Sequence, residues 1–562
     1  MIKAIAAFAL CASLGACAQS NGVNYPAVTD DRLLHAGTGN GWLMYLRTYT
    51  AQAHVPFTQI NASNVSRLRV AFTHSVSLPE GFEAPPIVNG DEMIVTTPMD
   101  HVYALNATTG KLLWSFDHPM PHVTLRTVCC DVVNRGVALY GDNLYFGTLD
   151  NHIIALDART GHVVWDRTMN APGVGYAITQ APLALHGEII AGDGGGEYGS
   201  RGFIFALDAK TGAERWRFWT VPSPDQPGGN TWPGTTYQHG GSDPWMTGSY
   251  DARTNTLFYG VGNPSPWLWN QRLGRNLYSD SIVALDPDTG KLKWYFQMTP
   301  NDTWDYDSTA TPVIADVPIG GRLRHVIYQA NRNGYLYVID RTDGKLIYLT
   351  PFTMTTSVTG YDRVHNIGTT NDAMRPRIGQ TIFTCPAFFG GDNWWSFSFD
   401  PQTDDAYVPT MHTCMLLSGE KPAPFQAGAG YLDEGFAVQP MPGSYGWGAL
   451  AAYDLSTGKR VWHKETKYPW NDGTLSTDGG LVFSGTPDQK FYAFDAKTGR
   501  VLWTFHTASG IIGQPISYEV DGKQYIAVQS GWGGVSPFWG GKKMTPMFHN
   551  IHLGGTLYVF SL

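Results

Sequence analysis

Apolar and polar positions alternate along this chain in short runs, which is typical of β-strands rather than of helices. Clear examples are Lys111-Leu-Leu-Trp114 and Arg500-Val-Leu-Trp503. Each run follows the turn sequence Asp-x-x-Thr-Gly or a close variant, in which the Asp side chain accepts turn N–H groups and Gly takes positive φ. The pattern predicts two-stranded hairpins. The Trp of the second strand can pack between neighbouring sheets while its N–H finds a partner.

The hairpin pattern recurs about eight times along the chain. Its copies end at Trp114, Trp165, Trp216, Trp294, Trp462 and Trp503, with degenerate copies ending at Tyr348 and near Tyr407. Most copies lie about 40 to 55 residues apart, the length of a four-stranded propeller blade. We predict one all-β domain over residues 25–562, an eight-bladed β-propeller. The segment from Gly555 to Leu562 is expected to complete a blade begun near the N-terminus, which closes the ring and removes exposed strand edges.

The composition fits a globular protein with many tight turns: 64 of the 562 residues are Gly, and only 15% are charged. The net charge of −9 is spread along the chain. Nucleic-acid binding is not expected, because it needs a basic stripe. A mildly acidic surface would suit a basic protein partner, but solubility explains it as well.

The first 18 residues are predicted to be an export signal. Lys3 precedes the apolar run from Ala4 to Leu14, which is too short to span a membrane. Leu14-Gly-Ala-Cys17 resembles a lipobox, which would leave Cys17 acylated and the protein tethered to a membrane. Ala16-Cys17-Ala18 also fits a small-x-small cleavage site, which would release the protein. Both alternatives place the mature chain in the periplasm, where disulfides persist.

Four cysteines remain beyond the signal: Cys129, Cys130, Cys385 and Cys414. Adjacent Cα atoms lie only ~3.8 Å apart, so a bond between Cys129 and Cys130 would be strained and rare. Two buried thiols, or bonds from this pair to Cys385 and Cys414, are the alternatives. The sequence contains no Cys-x-x-Cys-His motif, so no c-type haem is expected on this chain.

The repeats, with Gly41-Trp42 and Thr58-Gln-Ile-Asn61, resemble those of the quinoprotein alcohol and methanol dehydrogenases. These enzymes carry similar tryptophan-docking repeats on an eight-bladed propeller and use pyrroloquinoline quinone (PQQ) with one bound metal ion. The resemblance covers nearly the whole mature chain. It implies an exported PQQ-dependent dehydrogenase that oxidises an alcohol to an aldehyde or ketone.

The resemblance also implies how the quinone is held. The family bonds two adjacent cysteines, here Cys129 and Cys130, and lays them against one face of PQQ. Trp245, in Asp-Pro-Trp-Met-Thr-Gly, matches the Trp that stacks on the opposite face. Cys385 and Cys414 are similar to a pair that bridges a long insertion. Further cofactor contacts carried over from the family are Glu83, Arg135, Thr179, Arg332 and Asn393. A Ser often found three residues before the family's Glu ligand is Gly194 here.

Three segments resemble the family's metal-binding segments. They supply Glu197 in Gly-Gly-Gly-Glu, Asn263 in Gly-Asn-Pro and Asp305 in Thr-Trp-Asp. Carboxylate and amide oxygens suit a hard cation. Taken alone, each of these residues would more often be an ordinary turn residue. It is their joint match that predicts a metal site.

Asp307 bears on which metal is used. The calcium-using branch of the family carries an uncharged residue at this position, whereas the lanthanide-using branch carries Asp as an added ligand. A trivalent ion gains more from another carboxylate than Ca²⁺ does. We therefore predict a site that accepts a lanthanide, with Ca²⁺ as the alternative. The simplest other interpretation is that Asp307 caps the turn beside Ser308.

The resemblance assigns catalytic roles to two residues. Asp305 is the expected general base, which takes the hydroxyl proton while hydride passes to PQQ, whose carbonyl the cation polarises. Arg332 is expected to stabilise the negative charge that develops on the quinone oxygens. Because this sequence has no haem motif, electrons should leave to a separate cytochrome c.

The alcohol is not determined by the sequence. Four Trp residues beside the matched segments either wall a substrate cavity or pack in the core: Trp267, Trp269, Trp394 and Trp395. Two other protein classes remain. A scaffold lipoprotein of the outer-membrane assembly type would share the repeats but has no use for Cys129-Cys130 or the metal set. A sugar or aldose dehydrogenase that uses PQQ on a different propeller would lack the vicinal cysteines and the eight docking repeats.

Overall fold

The computed structural model describes residues 23–562, so the predicted export signal and Cys17 lie outside the described residues. The N-terminal part contains one short helix and two strands: α1 (Asp30–Leu34), β1 (His54–Val55) and β2 (Arg69–Val76). No helix in the described part of the chain has the length and apolar character needed to cross a membrane. Strands make up most of the remaining regular structure.

Over residues 23–562, eight antiparallel sheets share a plan of four strands, which we call a to d in their order across the sheet. Blade 1 consists of β3 (Ile87–Asn89), β4 (Glu92–Thr97), β5 (His101–Asn106) and β6 (Leu112–Phe116). Blade 2 consists of β7 (Ala138–Tyr140), β8 (Asn143–Gly147), β9 (His152–Asp157) and β10 (Val163–Thr168). Blade 3 consists of β11 (Leu183–Leu185), β12 (Glu188–Gly192), β13 (Phe203–Asp208) and β14 (Glu214–Trp219).

Blade 4 consists of β15 (Ser249–Asp251), β16 (Thr256–Gly260), β17 (Ser281–Leu285) and β18 (Leu292–Gln297). Blade 5 consists of β19 (Val313–Ile319), β20 (Arg322–Ala330), β21 (Tyr335–Asp340) and β22 (Leu346–Pro351). The long connection that follows contains β23 (Val358–Asp362) and β24 (Ile367–Thr370), which extend blade 4, and then β25 (Thr381–Thr384).

Blade 6 is interrupted by an insertion. It starts with β26 (Ser398–Asp400) and β27 (Asp405–Met411); the inserted strands β28 (Thr413–Gly419) and β29 (Glu434–Pro440) follow, and β30 (Gly448–Asp454) and β31 (Lys459–Thr466) complete it. The inserted strands pair with β25 in a separate sheet, the insertion sheet. A disulfide between Cys385 and Cys414 ties this sheet to the chain before blade 6, as the resemblance implied.

Blade 7 consists of β32 (Leu475–Thr477), β33 (Leu481–Thr486), β34 (Lys490–Asp495) and β35 (Val501–His506), with β1 added at its inner edge. Blade 8 has β36 (Ile516–Val520), β37 (Lys523–Ser530) and β38 (Gly555–Ser561), and its fourth strand is β2. Two short helices, α2 (Val535–Trp539) and α3 (Gly541–Met544), lie between β37 and β38. The predicted closure of the ring between the two ends of the chain is confirmed.

At six junctions between neighbouring blades, the aromatic ring that ends the motif of one blade lies against the turn glycine of the next blade. The Trp114 indole N–H donates to the Ala158 carbonyl at 2.8 Å. Its ring lies against Gly161, where a Cβ atom would come within 2.5 Å of a ring carbon. Because Gly161 also has φ of 72°, this position excludes a side chain for two independent reasons. The same contact recurs at Trp165, Trp216, Trp294, Tyr348 and Trp462.

The eighth blade closes the ring without a copy of the motif. There the Phe72 ring of β2 takes the place of the tryptophan and lies against Gly110 of blade 1. The prediction that Tyr407 ends an eighth copy is wrong. Tyr407 lies on β27 and the preceding turn joins the first two strands of blade 6, whose own copy ends at Trp462. Its Asp-x-x-Thr turn resembles the motif only locally.

The antiparallel plan determines which loops meet. Loops that join strands b and c, and connections that lead from strand d to the next blade, emerge at one end of the ring, here called the upper end. The Asp-x-x-Thr-Gly turns join strands c and d and therefore lie at the opposite, lower end. Side chains at the upper end are free from this structural role and are available for chemistry.

Candidate active site

One cavity at the upper end brings together all twelve residues that the sequence singled out. It encloses about 910 Å³ between atoms, including open space at its mouth. These residues are Glu83, Cys129, Cys130, Arg135, Thr179, Glu197, Trp245, Asn263, Asp305, Asp307, Arg332 and Asn393. Every one lies in a b–c loop or in a connection between blades, which is why residues far apart in sequence converge.

One wall of the cavity is organised around Arg135. Its Nη2 lies 2.7 Å from a Glu83 carboxylate oxygen, and its Nη1 donates to the Thr179 hydroxyl at 2.8 Å. The guanidinium carbon lies 5.0 Å from the Trp245 ring and 4.8 Å from the Trp394 ring. Burial raises the pKa of Glu83 to about 7, although the positive charge of Arg135 opposes this shift. Arg135 Nε is buried without a partner among the described residues.

A second part of the cavity is acidic, and the positive charge of Arg332 partly compensates its negative charge. Its Nη1 lies 3.1 Å from Asp305 Oδ1, and its Nη2 lies 2.6 Å from Asp307 Oδ2. Nη2 also donates to the Asn393 amide oxygen at 3.1 Å. Burial alone would lower the pKa of Arg332, but Asp307 and Asp305 outweigh it and raise this pKa. The guanidinium therefore stays charged and holds both carboxylates in place.

Asp305 is buried, and this burial raises its pKa well above the ordinary range. Arg332 lowers this pKa, whereas the negative charges of Asp307 and Glu197 raise it further. Burial also raises the pKa of Glu197, with a further rise from the charge of Asp307. Of the five acidic residues that line the cavity, Glu83 is paired with Arg135, whereas Glu197, Asp243, Asp305 and Asp307 share the part that contains Arg332. A bound cation would compensate the remaining negative charge.

Asn263 completes this acidic group. Its backbone N–H donates to Asp307 Oδ1 at 2.7 Å, and the other Asp307 oxygen accepts the Trp245 indole N–H at 2.9 Å. One terminus of the Asn263 side-chain amide lies 3.1 Å from Asp305 Oδ1 and from Asp307 Oδ1, and the other lies 2.9 Å from the Trp267 indole nitrogen. Two carboxylates and one amide therefore converge. This arrangement suits a hard cation, which takes carboxylate and amide oxygens.

Cys129 and Cys130 are bonded to each other in the structure, with their Cα atoms 3.7 Å apart. Both residues and Trp245 line the cavity, as expected for groups that enclose a flat ring. Their predicted placement on opposite faces of a quinone stays a prediction. The cavity fits PQQ chemically. It is lined by aromatic rings and by two arginines whose Nε atoms are buried and unpaired among the described residues. PQQ carries carboxylates and quinone oxygens, which accept hydrogen bonds from such donors.

Aromatic side chains line another part of the cavity, here called the aromatic wall. Phe436 of the insertion sheet stacks on Trp539 of α2, with ring centroids 5.2 Å apart and an interplanar angle of 9°. Phe388 lies 4.5 Å from Phe436 and 5.8 Å from Trp539 by ring centroids. Phe388, Phe389, Val535 and Trp539 line the cavity, and sequence reasoning missed them. The adjacent aromatics Phe388-Phe389 and Phe538-Trp539 are the local signals that the sequence offers.

Of the four tryptophans considered as cavity walls, Trp394 lines the cavity. Trp267 and Trp395 are each 1% exposed and belong to the core, and Trp269 donates its indole N–H to the Pro376 carbonyl at 2.9 Å. Gly194, at the position where the resemblance implied a Ser, also lines the cavity. A Cβ atom on Gly194 would meet Trp245 Cβ at 3.4 Å, an ordinary contact, so the glycine leaves space without being sterically required.

Comparison with known proteins identifies the family of this chain. The family model described as "PQQ: Glucose/ethanol/alcohol dehydrogenase, beta-propeller domain" matches residues 42–351 and 349–526. Quinoprotein alcohol dehydrogenase PedH of Pseudomonas putida is 39% identical over 536 residues, covering 91% of this chain and 89% of the relative. 1-Butanol dehydrogenase (cytochrome c) of Thauera butanivorans is 37% identical, covering 93% of this chain and 78% of the relative.

Solved structures give the same result. A europium-containing methanol dehydrogenase superposes with a TM-score of 0.90 at 34% identity, covering 95% of this chain and 100% of the other. The quinohemoprotein alcohol dehydrogenase of Comamonas testosteroni superposes with a TM-score of 0.89 at 36% identity, covering 95% of this chain and 82% of the other. These relatives favour the enzyme over the scaffold alternative. The chain belongs to the family of PQQ-dependent quinoprotein alcohol dehydrogenases.

Proposed function

We propose that the upper cavity is the active site at which this chain oxidises an alcohol, with Asp305 as the general base. The observation that carries the proposal is the convergence of all twelve predicted residues in one cavity. When bound, PQQ would accept the hydride of the alcohol carbon, which carries both electrons of the oxidation, and a metal ion at Glu197, Asn263, Asp305 and Asp307 would polarise the quinone. Arg135, Glu83, Thr179 and Asn393 would bind and orient the cofactor.

Asp305 would take the hydroxyl proton of the alcohol on a carboxylate oxygen. Arg332 lies 3.1 Å from Oδ1 and also donates to the Asp305 backbone carbonyl at 2.9 Å, so both ends of the residue are fixed. Asp305 has φ of 60°, a conformation that L side chains rarely adopt and that is often found at functional sites. An ionised base needs positive charge nearby, because burial disfavours its charged form. Arg332 supplies that charge.

We further propose that the metal site accepts a trivalent lanthanide. Asp307 adds a carboxylate whose Oδ1 lies 3.1 Å from one terminus of the Asn263 side-chain amide. Asp307 also makes bonds to the Asn263 backbone, Trp245 and Arg332, so its position is already set before a metal binds. An additional negative ligand favours a trivalent ion over Ca²⁺, whereas its bond to Arg332 reduces that advantage.

The substrate is proposed to be an alcohol with a sizeable apolar group. The part of the cavity lined by Phe388, Phe389, Trp394, Val535 and Trp539 offers aromatic and aliphatic surface rather than hydrogen-bonding groups. Burying an apolar chain there gains about 0.8 kcal/mol per CH₂. We therefore expect kcat/KM to rise along a series of primary alcohols from methanol to longer chains.

The electron acceptor is proposed to be a separate cytochrome c, and the mature chain is proposed to be periplasmic. Support for the acceptor comes from the relative of Thauera butanivorans, which is a 1-butanol dehydrogenase (cytochrome c). Support for export comes from the apolar segment after Lys3 and from the two disulfides. Attachment of a lipid to Cys17 is the remaining alternative to release.

The test is a dye-linked assay of the PQQ- and metal-reconstituted enzyme against a panel of alcohols. Asp305→Asn should keep bound PQQ, visible by its absorbance, and should lose about 10²- to 10⁴-fold in kcat, the usual contribution of a general base. Asp343→Asn, at a partly exposed turn, is the matched control and should leave kcat unchanged. Wild-type enzyme that binds PQQ but oxidises none of the alcohols would refute the proposal, as would an undiminished kcat in Asp305→Asn.

A further inference from the structure

We infer that Trp267 is a positioning residue that opposes the metal-ligating orientation of Asn263 and thereby sets the affinity of the site for its cation. The inference rests on the proposed metal site. It concerns the two orientations of one side-chain amide, whose nitrogen and oxygen have different partners in the two cases. Trp267 lies in the same loop, four residues after Asn263, and its side chain is 1% exposed.

Two sets of groups compete for the Asn263 amide. One amide terminus lies 2.9 Å from the Trp267 indole nitrogen, and the other lies 3.1 Å from Asp305 Oδ1 and from Asp307 Oδ1. An indole N–H is a donor only, whereas ionised carboxylates are acceptors only. All of these groups are therefore satisfied when the amide oxygen faces Trp267 and the amide NH₂ faces the two carboxylates. This is the preferred orientation of the metal-free protein.

A cation requires the opposite orientation. Metal ions bind the amide oxygen, so Asn263 can act as a ligand only when that oxygen turns toward Asp305 and Asp307. The amide NH₂ then faces the Trp267 N–H, and two donors point at each other. The indole then loses its hydrogen bond although Trp267 is only 1% exposed, and a buried donor without a partner is costly.

Neither partner can move away easily. The Trp267 ring is packed against Phe388, Phe436 and Trp539, with centroid distances of 6.2, 5.9 and 6.5 Å. The Asn263 backbone N–H donates to Asp307 Oδ1 at 2.7 Å, which fixes the backbone of this residue while its side-chain amide can turn. Rotation of the amide about its last side-chain bond is thus the simplest adjustment, and the energy lost at Trp267 subtracts from the energy of metal binding.

The inference predicts that removing the Trp267 N–H strengthens metal binding. Trp267→Phe keeps an aromatic ring but removes the donor, so the ligating orientation no longer loses a hydrogen bond. The metal Kd should become smaller by about tenfold, which corresponds to about 1.4 kcal/mol. A merely structural role of Trp267 predicts the reverse, because a disturbed loop would weaken metal binding.

The experiment measures Kd for La³⁺ and for Ca²⁺ by calorimetric titration of PQQ-reconstituted, metal-depleted enzyme, with chelator competition if binding is tight. Trp267→Phe is compared with wild type. The matched control is Trp470→Phe, since Trp470 is also fully buried and donates its N–H to Ser484 Oγ at 2.9 Å, but lies outside the cavity. This control should leave both Kd values unchanged.

A second background separates the orientation effect from general loosening. In Asn263→Asp, the carboxylate has an acceptor at both ends and can bind the metal and the Trp267 N–H together. Adding Trp267→Phe to this background should therefore not tighten metal binding and should weaken it slightly. Tightening of the same size in both backgrounds would overturn the inference.

The outcomes distinguish the inference from the proposed site. If Asn263→Ala leaves the metal Kd unchanged, Asn263 is not a ligand and the proposed metal site itself is wrong. If Asn263→Ala weakens binding while Trp267→Phe leaves it unchanged or weakens it, the metal site stands and the inference about Trp267 is refuted. Tightening by Trp267→Phe in the wild-type background alone supports both.

Discussion

The contact between Trp114 and Gly161 should make a large and position-specific contribution to the stability of the propeller. In Gly161→Ala, the new methyl group would come within 2.5, 2.9 and 3.1 Å of three Trp114 ring carbons. The indole is tied by its 2.8 Å bond to the Ala158 carbonyl, so the ring cannot withdraw without weakening that bond. We expect a loss of unfolding free energy with two separate causes.

The first cause is backbone strain, since φ of 72° costs an L residue roughly 1–2 kcal/mol. The second is overpacking against the ring, which typically costs about 1–3 kcal/mol. Gly522 is a matched control, because it has the same φ of 72° and no atom within 4 Å of an added Cβ. Gly522→Ala should therefore lose only the strain contribution, and the difference of about 1–3 kcal/mol belongs to the blade contact.

The assay is urea-induced unfolding of cofactor-free protein, followed by tryptophan fluorescence and by far-UV circular dichroism to test whether both probes report one transition. The midpoint should fall more for Gly161→Ala than for Gly522→Ala at a similar slope. Equal losses in the two variants would refute the claim that the tryptophan contact, rather than the turn conformation alone, stabilises neighbouring blades.

Three further predictions concern charge. Asp307→Asn should lower the affinity for La³⁺ at least tenfold more than that for Ca²⁺ in paired titrations; equal losses would contradict its role in metal choice. Arg135→Gln should raise the Kd of PQQ about 10- to 100-fold in a reconstitution titration, since charge-assisted bonds contribute about 1.5–3 kcal/mol; an unchanged Kd would exclude it as a cofactor contact. Burial raises the pKa of Glu92 to about 8 in the folded chain, so the folded state keeps a proton that the unfolded state loses above about pH 4.5. Stability should therefore fall by at most about 5 kcal/mol as pH rises from 4.5 to 8, and urea midpoints of Glu92→Gln should lack this contribution, with kcat unchanged.

The blades could be predicted from the sequence because each carries its own local signal. An Asp-x-x-Thr-Gly turn followed by a strand with Trp is complete within a dozen residues. Five blades carry it unchanged, and blades 1 and 5 carry variants with Asn106 and with Tyr348. Blade 8 could not be recognised in this way, because Phe72 reaches Gly110 only after the ring has closed. The motif copy predicted at Tyr407 was wrong because the Asp400–Thr403 turn has the same Asp and Thr spacing but joins the first two strands of blade 6, not the last two.

The polar residues of the cavity could be predicted from the sequence, whereas its aromatic wall could not. Glu197, Asn263 and Asp305 lie in distinctive short segments, so a resemblance can identify them one by one. The aromatic wall depends on a contact between Phe436 of the insertion sheet and Trp539 of α2, about a hundred residues apart, and neither segment carries a periodic pattern. The orientation of the Asn263 amide depends on hydrogen-bond geometry, which a sequence does not contain.

The most direct test of this account is X-ray diffraction from crystals of the enzyme reconstituted with PQQ and lanthanum, with anomalous scattering used to locate the metal. The account predicts one lanthanum peak in contact with Glu197, Asn263, Asp305 and Asp307, and quinone density beside the Cys129–Cys130 disulfide. A lanthanum peak elsewhere on the propeller, or PQQ bound away from Asp305, would contradict it.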